Sequence, residues 1–282
     1  MAIVLGPNRY GKAEVRLVQV GRDTATHTLT DLNVSVALAG DLEATHLTGD
    51  NSGVLPTDTM KNTVYSLARE HGAGEPEAFG LLLARHFVES RPQIHSAKIT
   101  LHAYGWERLG PHSFQRRGDH TRVAVVTHSA AGTQVVAGLD GLTLMNTTDS
   151  EFHGFPRDRL TTLPETTDRI LATSVDARWR FADRPGDFET AKTALITAFT
   201  STYSYSLQQT LYAMGRAVLE RCPEIAEIRL NLPNKHHYLV DLSPFGQDNP
   251  GEVFMAGDRP YGLIEGTVTR DYAAPAMAEW YL

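Results

Sequence analysis

Asn234 and His236 stand two apart in the stretch IRLNLPNKHHYLVDL (228–242), so an extended chain projects both to the same side. An amide beside an imidazole can hydrogen-bond a small polar molecule or hold a water. A hairpin corner dressed with solvated polar residues fits the same letters, although a tight turn needs only Asn, Asp or Gly, not a cation and two imidazoles. The chain has 12 His, which makes a metal the third option. The adjacent His236 and His237 point to opposite faces of a strand, however, and no HExxH or CxxC spacing occurs, so no metal ligand is assigned.

A second group falls in SEFHGFPRDRLTTLPETTDRIL (150–171), where Phe152 and Phe155 lie close in sequence to Arg157 and Arg169. An aromatic face with a guanidinium fork suits a flat, oxygen-rich heterocycle: the ring stacks, and the fork binds carbonyl and anionic nitrogen in pairs. A core Phe and a surface Arg are the competing reading. Gln208 and Gln209 open a helix, where exposed Gln is ordinary. GxGxxG, GxxxxGK[ST] and GxSxG are all missing, which leaves nucleotide-cofactor, phosphate-loop and hydrolase-elbow readings without an anchor. Any chemistry is expected to run without a bound cofactor.

The elements that must position these residues show in the hydrophobic pattern. Lys12 to Val20 alternates Ala13, Val15 and Leu17 against Lys12, Glu14 and Arg16, and His27 to Leu38 does the same, which predicts an antiparallel opening pair. Thr57-Asp58 starts a helix after Pro56. PEAFGLLLARHFVES predicts a second helix with Phe79, Leu82, Leu83 and His86 on one face. Strands follow over Ala97 to Trp106 and Thr121 to His128. After SAAGT (129–133) the order repeats: a strand over Gln134 to Asn146, then ATSVDARWRF, two helices, the LPNKHH strands and a last strand pair. The fragments LPTDTMKN and LPETTDRI occupy corresponding places in the two halves. Each half thus reads strand, strand, helix, helix, strand, strand, and two similar α+β domains are expected over residues 1–131 and 132–282.

Bulk properties narrow the class. With 26 Lys and Arg against 33 Asp and Glu, the net charge of −7 excludes the electrostatic footprint of a nucleic-acid binder. No apolar run reaches membrane-spanning length. The single Cys222 has no partner for a disulfide, which predicts a reducing compartment. The last residues, AEWYL, carry no Ser-Lys-Leu peroxisomal address. A bacterial cytoplasm is the expected location.

Seven segments in order carry a resemblance: YGKAEVRL, LPTDTMKNTVY, GLTLMNTTDSEFHGFPRD, TTLPETTDRIL, SLQQTLYAMG, LPNKHHYLVDL and DRPYGLIEGTV. Together they resemble the urate oxidase (uricase) family. Asn146 and Leu160 depart from that pattern, standing where the family usually has Lys and an aromatic residue. The resemblance implies two tandem tunnelling-fold (T-fold) domains, each an antiparallel four-stranded sheet with helices on one face. Four chains would close these sheets into β-barrels, as a homotetramer with active sites shared between subunits.

The activity implied is oxidation of urate by O2 and water to 5-hydroxyisourate and H2O2 without a cofactor. Carried onto this chain, Arg169 and Gln208 grip the urate ring edges and Phe152 stacks on its face. The main chain at Asp58 and Leu207 completes the polar contacts. Lys12 and Thr57 form a catalytic dyad coupled to His236, and Asn234 holds O2 or the attacking water, while His237 is structural. A purine-binding protein without catalysis, or another T-fold pterin or purine enzyme such as a cyclohydrolase or aldolase, is the alternative. Fold does not fix function.

Overall fold

A computed structural model describes residues 2–277. The terminal AEWYL, read above for a targeting address, lies outside the described residues. The chain divides into two compact units: one runs to Gly138 and takes in Asp183–Pro185 and the segment from Ala274, the other comprises Leu139–Ala182 and Gly186–Ala273.

The first unit contains β1 (Tyr10–Gly21), β2 (Thr28–Gly40), a short α1 (Glu43–Leu47), α2 (Thr57–His71), α3 (Pro76–Glu89), β3 (Ile94–Ala103), the small hairpin β4 (Trp106–Arg108) and β5 (Phe114–Arg116), and β6 (Thr121–Ser129). Its sheet runs β1-β2-β3-β6, antiparallel at every pairing. β7 (Gly132–Asn146) crosses the division between the units. The second unit continues with β8 (Leu171–Phe181), α4 (Phe188–Ser201), α5 (Leu207–Arg221), β9 (Ile225–Leu239) and β10 (Phe254–Thr269), in the sheet order β7-β8-β9-β10. α2 lies on β1 and α3 on β3 and β6; α5 lies on β9 and β10, with α4 packed against α5. Both units therefore follow the strand, strand, helix, helix, strand, strand order.

Each sheet buries one face under its helices. In the first unit Val34, Val36 and Leu38 of β2 are buried, as are Ile99, Leu101 and Val126 of β3 and β6, on which Phe79, Leu83 and Phe87 of α3 are buried too. In the second, Val175, Ala177, Trp179, Ile228, Leu230 and Leu232 are buried with Met214 and Val218 of α5. Each Val, Leu, Ile, Phe or Met among them contributes roughly 1.5–3 kcal/mol of apolar burial. One glycine in each unit lets helix and sheet approach closely. A Cβ on Gly80 would come within 2.8 Å of Leu101 Cδ1, and one on Gly215 within 2.5 Å of Val268 Cγ2.

Four expectations are corrected. The buried stripe of α3 is Phe79, Gly80, Leu83, Ala84 and Phe87, while His86 is exposed; Gly80 is what lets that stripe dock, and a residue without a side chain gives no hydrophobic signal. The third strand stops at Ala103, because Trp106 starts the β4–β5 hairpin and donates its indole N–H to buried Asp31 at 3.0 Å. LPTDTMKN and LPETTDRI are not equivalent: the first opens α2 after a completed strand pair, and the second lies in the loop between β7 and β8. Finally, β9 runs unbroken through Asn234 to His237, so there is no hairpin corner.

Candidate active site

In the first unit, β1 carries Lys12 and supports the start of α2. Leu55 N donates to the Tyr10 hydroxyl at 2.9 Å, which pins the Leu55-Pro56 approach to the helix. Further along, Tyr65 OH donates to Arg16 O at 3.0 Å and Gln19 Nε2 to Ala68 O at 2.7 Å, so α2 is held along the length of β1. Thr57 and Asp58 are the first two residues of α2, where backbone N–H groups have no partner inside the helix. Lys61 donates to the Asp58 carboxylate at 2.5 Å, and this bond and charge, with a smaller contribution from Lys12, hold Asp58 below its ordinary carboxylate range. Lys12 is thus within electrostatic reach of the helix start that bears Thr57.

The side of the sheet that Lys12 occupies differs from the sequence expectation. Simple alternation places Lys12 with Glu14 and Arg16, opposite Val15 and Leu17. In the structure Lys12 pairs with Val36 and Val15 with Val34, so Ala13 and Glu14 together oppose Ser35 alone. Glu14 takes φ 61° at this β-bulge. The extra residue shifts the parity of the strand. Since cross-strand partners share a face, Lys12 shares the helix-covered face with Val15, Val34 and Val36. Gly11 makes this possible, because a Cβ there would sit 1.8 Å from Val36 O. Gly11→Ala should therefore push β1 off β2 beside Lys12, impairing whatever Lys12 does there more than it weakens ligand binding in the other unit, and costing about 1–3 kcal/mol of stability. Steady-state kinetics alongside thermal unfolding check both effects; kinetics equal to those of the parent would sever the link between the bulge and Lys12.

The second unit gathers the remaining residues. Asn234 and His236 continue the parity of the buried Ile228, Leu230 and Leu232 and lie just beyond them, half-buried, where the apolar face runs out. Asn234 pairs with Thr173 on β8 and Gly262 on β10. His236 pairs with Gly257, so residues 258–261 of β10 bulge opposite Lys235. The strand continues although its hydrophobic pattern stops, because neighbours on both sides hold it extended. Burial, then the charge of Arg169 and then His237, keep the His236 imidazole below its ordinary pKa, in favour of the neutral ring. His237 Nδ1 is 3.2 Å from Lys235 O.

The loop between β7 and β8 brings together all four residues singled out in it. Phe152 and Phe155 stack with centroids 5.1 Å apart and 17° between planes. Arg169 Cζ lies 5.2 Å from the Phe152 centroid and Arg157 Cζ 5.9 Å from that of Phe155. Phe152 and Thr166 exchange backbone hydrogen bonds of 2.9 and 3.1 Å, folding the loop back on itself. Arg169 is half-buried, and that burial lowers its pKa without discharging a guanidinium.

At the start of α5, Ser206 caps the helix by accepting from Gln209 N at 3.2 Å, and Gln209 Oε1 accepts from Tyr205 N at 3.2 Å. Gln209 is spent on the cap. Gln208 is exposed at the second helical position, and Leu207 is buried at the first, with its N–H at the positive end of the helix. The departure at Asn146 has a structural use, since its side-chain amide donates to Phe199 O in the last turn of α4 at 3.0 Å. Leu160 is exposed.

Lys12, Thr57 and Asp58 thus lie in one unit, and Phe152, Arg169, Leu207, Gln208, Asn234 and His236 in the other. An imidazole shifted toward its neutral form near a guanidinium, a half-buried aromatic ring and a helix N-terminus make a setting for a flat anion. The sequence matches the family profile for uricase over residues 8–128 and 135–265. The chain belongs to the uricase family. A uricase of Arthrobacter globiformis is 53% identical over 275 residues, 95% of this chain and 91% of that one. A uricase of Dictyostelium discoideum is 38% identical, covering 94% of this chain and 97% of its own length. The crystal structure of the A. globiformis uricase superposes with a TM-score of 0.97 at 51% identity, over 100% of both chains. The α+β units described above have the T-fold of uricases, and the activity that goes with this family is urate oxidation.

Proposed function

We propose that urate oxidation by this chain runs through two residue sets. Arg169 and Gln208 hold the edges of the urate anion, Phe152 stacks on its ring, and the N–H groups of Asp58 and Leu207 complete the polar contacts. Lys12 and Thr57, coupled to His236, remove a proton, and Asn234 positions O2 and then water. Urate, once deprotonated, is electron-rich enough to reduce O2 directly, so the reaction needs no resident cofactor. The ring passes electrons to O2 and forms a peroxide, H2O2 leaves, and water adds to give 5-hydroxyisourate. Urate, O2 and water thus become 5-hydroxyisourate and H2O2. The protein contributes orientation and proton transfer.

The observation that carries this assignment is the bulge at Ala13-Glu14, which turns Lys12 from the polar to the helix-covered face beside the start of α2. A lysine that served only solubility would have no reason to be turned inward. Shared sites in a homotetramer belong to the same proposal. β1 and β10 end the strand orders and carry exposed Val18, Val20, Tyr261 and Leu263, an edge that association would cover. We also assign the enzyme to the cytoplasm; no helix among the described residues is long and apolar enough to cross a membrane.

Protein dialysed exhaustively against a chelator and mixed with urate in air should consume urate and O2 in equal amounts and release H2O2 to match. Activity lost on chelation and restored by one metal would overturn the cofactor-free route. Urate binding without O2 uptake would leave a purine-binding protein.

A further inference from the structure

We propose that Ser150 is a positioning residue for the Arg169 guanidinium, and that its segment, bridged through the backbone to Ser204, ties the two jaws of the urate clamp together. This rests on the assignment of Arg169 and Gln208 as that clamp. Arg169 Nε donates to Ser150 Oγ at 3.3 Å, and Arg169 N donates to Ser150 O at 2.9 Å. Backbone and side chain of the arginine are thus tied to one residue. A guanidinium is a rigid plane, so fixing Nε fixes the direction of both terminal nitrogens, the pair that can grip a ring edge.

Ser150 is itself immobilised. It is 0% exposed and forms a parallel bridge with Ser204, also 0% exposed, through Glu151 N to Ser204 O and Ser204 N to Asp149 O, each 2.9 Å. Thr210 of α5, fully buried too, donates its hydroxyl to Ser204 Oγ at 2.8 Å, and Ser204 Oγ donates to Ser206 O, the cap of α5, at 3.1 Å. Arg169 is therefore tied to Ser150, the backbone on either side of Ser150 to Ser204, and Ser204 to the first turn of α5, which carries Leu207 and Gln208. A purely structural loop could fill these positions with small apolar residues. Three buried hydroxyl side chains, Ser150 on Arg169 and the Ser204–Thr210 pair on the start of α5, instead fix the spacing and orientation of two elements that must meet the same flat ligand.

The test is a double-mutant cycle read as urate binding without O2, where the reaction cannot proceed. Ser150→Ala should weaken urate binding about three- to tenfold, the usual worth of one such hydrogen bond, with a matching rise in KM and kcat within about twofold. In an Arg169→Lys background, which has no Nε–H to hold, the same substitution should change binding no further. Ser150→Cys fills the site with a slightly larger, weaker acceptor, and it replaces Ser150→Ala should the alanine variant unfold at a lower temperature. Parent-like binding by the Ser150 variant overturns the proposal. So does an equal loss in the Arg169→Lys background, because the serine would then act on the fold and not on the guanidinium. If Arg169→Ala itself binds urate as the parent does, the clamp assignment fails and this inference with it. If Arg169→Ala weakens binding and the Ser150 variants do not, only the positioning role is lost.

Discussion

Lys12→Met is expected to lower kcat for urate oxidation by about a hundred- to ten-thousandfold, the usual worth of a positioned proton-transfer group. Anaerobic urate binding should stay within a few-fold of the parent. The structure supplies the reason for so uneven a split. Lys12 sits on β1 at a bulge, with Gly11 pressed against Val36 on one side and Glu14 at positive φ on the other. The clamp residues Phe152, Arg169 and Gln208 belong to the other unit. Methionine keeps the aliphatic stem of lysine and its packing on the helix-covered face, so the loss is confined to the ammonium group. Thr57→Ala should act in the same direction. Arg169→Ala is the contrasting case: it removes charge-assisted hydrogen bonds worth about 1.5–3 kcal/mol each, so its main effect falls on binding. Equal losses of binding in the Lys12 and Arg169 variants would show that the division into a proton-transfer set and a clamp set is wrong.

The order of elements was legible because alternation on β2 and β8 and the helical stretches α2, α4 and α5 bury one face of each unit, and burial leaves a period in the sequence. The clamp candidates Phe152, Phe155, Arg157 and Arg169 were legible for a different reason. They are crowded into one loop, so local spacing alone brings them together. What escaped was whatever depends on backbone irregularity or on small side chains. A two-for-one bulge leaves no mark on composition, so alternation assigned Lys12 to the wrong face. Gly80 supports the buried stripe of α3 by having no side chain. β9 holds its course through Asn234–His237 because Thr173 and the β10 bulge flank it, a fact that lies on two other strands. Ser150, Ser204 and Thr210 produce no hydrophobic period and no motif. A cue for Ser206 was present: Ser206-Leu207-Gln208-Gln209 has the Ser-x-x-Gln spacing of a capping box, which marks Gln209 as the capping partner and leaves Gln208 available for ligand.

The other large effect concerns where a complete site is assembled. Lys12→Met/Thr57→Ala and Arg169→Ala/Gln208→Ala should each be nearly inactive as pure assemblies, one lacking its proton-transfer set and the other its clamp. Unfolded together and reassembled, the mixture should regain activity that neither parent shows. All the substitutions of the first variant lie in the stretch of the first unit before Gly138, and all those of the second lie in the second unit. Each chain therefore keeps one wild-type unit. If a site is built from the first unit of one subunit and the second of its neighbour, some mixed interfaces join the two intact units and carry every required residue. At equal input and random association, a fraction of sites is complete, a fraction lacks both sets, and the rest match one parent or the other. Recovered activity should therefore follow the product of the two mole fractions and peak at an equal mixture. That dependence separates true complementation from partial rescue of either variant, which would rise monotonically with its own share. A site completed within one chain predicts no recovery at any ratio, because every chain then carries a defect in its own pocket. Native mass measurement must first establish that mixed assemblies form; with these present and the activity still missing, shared sites are ruled out and each subunit must be catalytically self-contained.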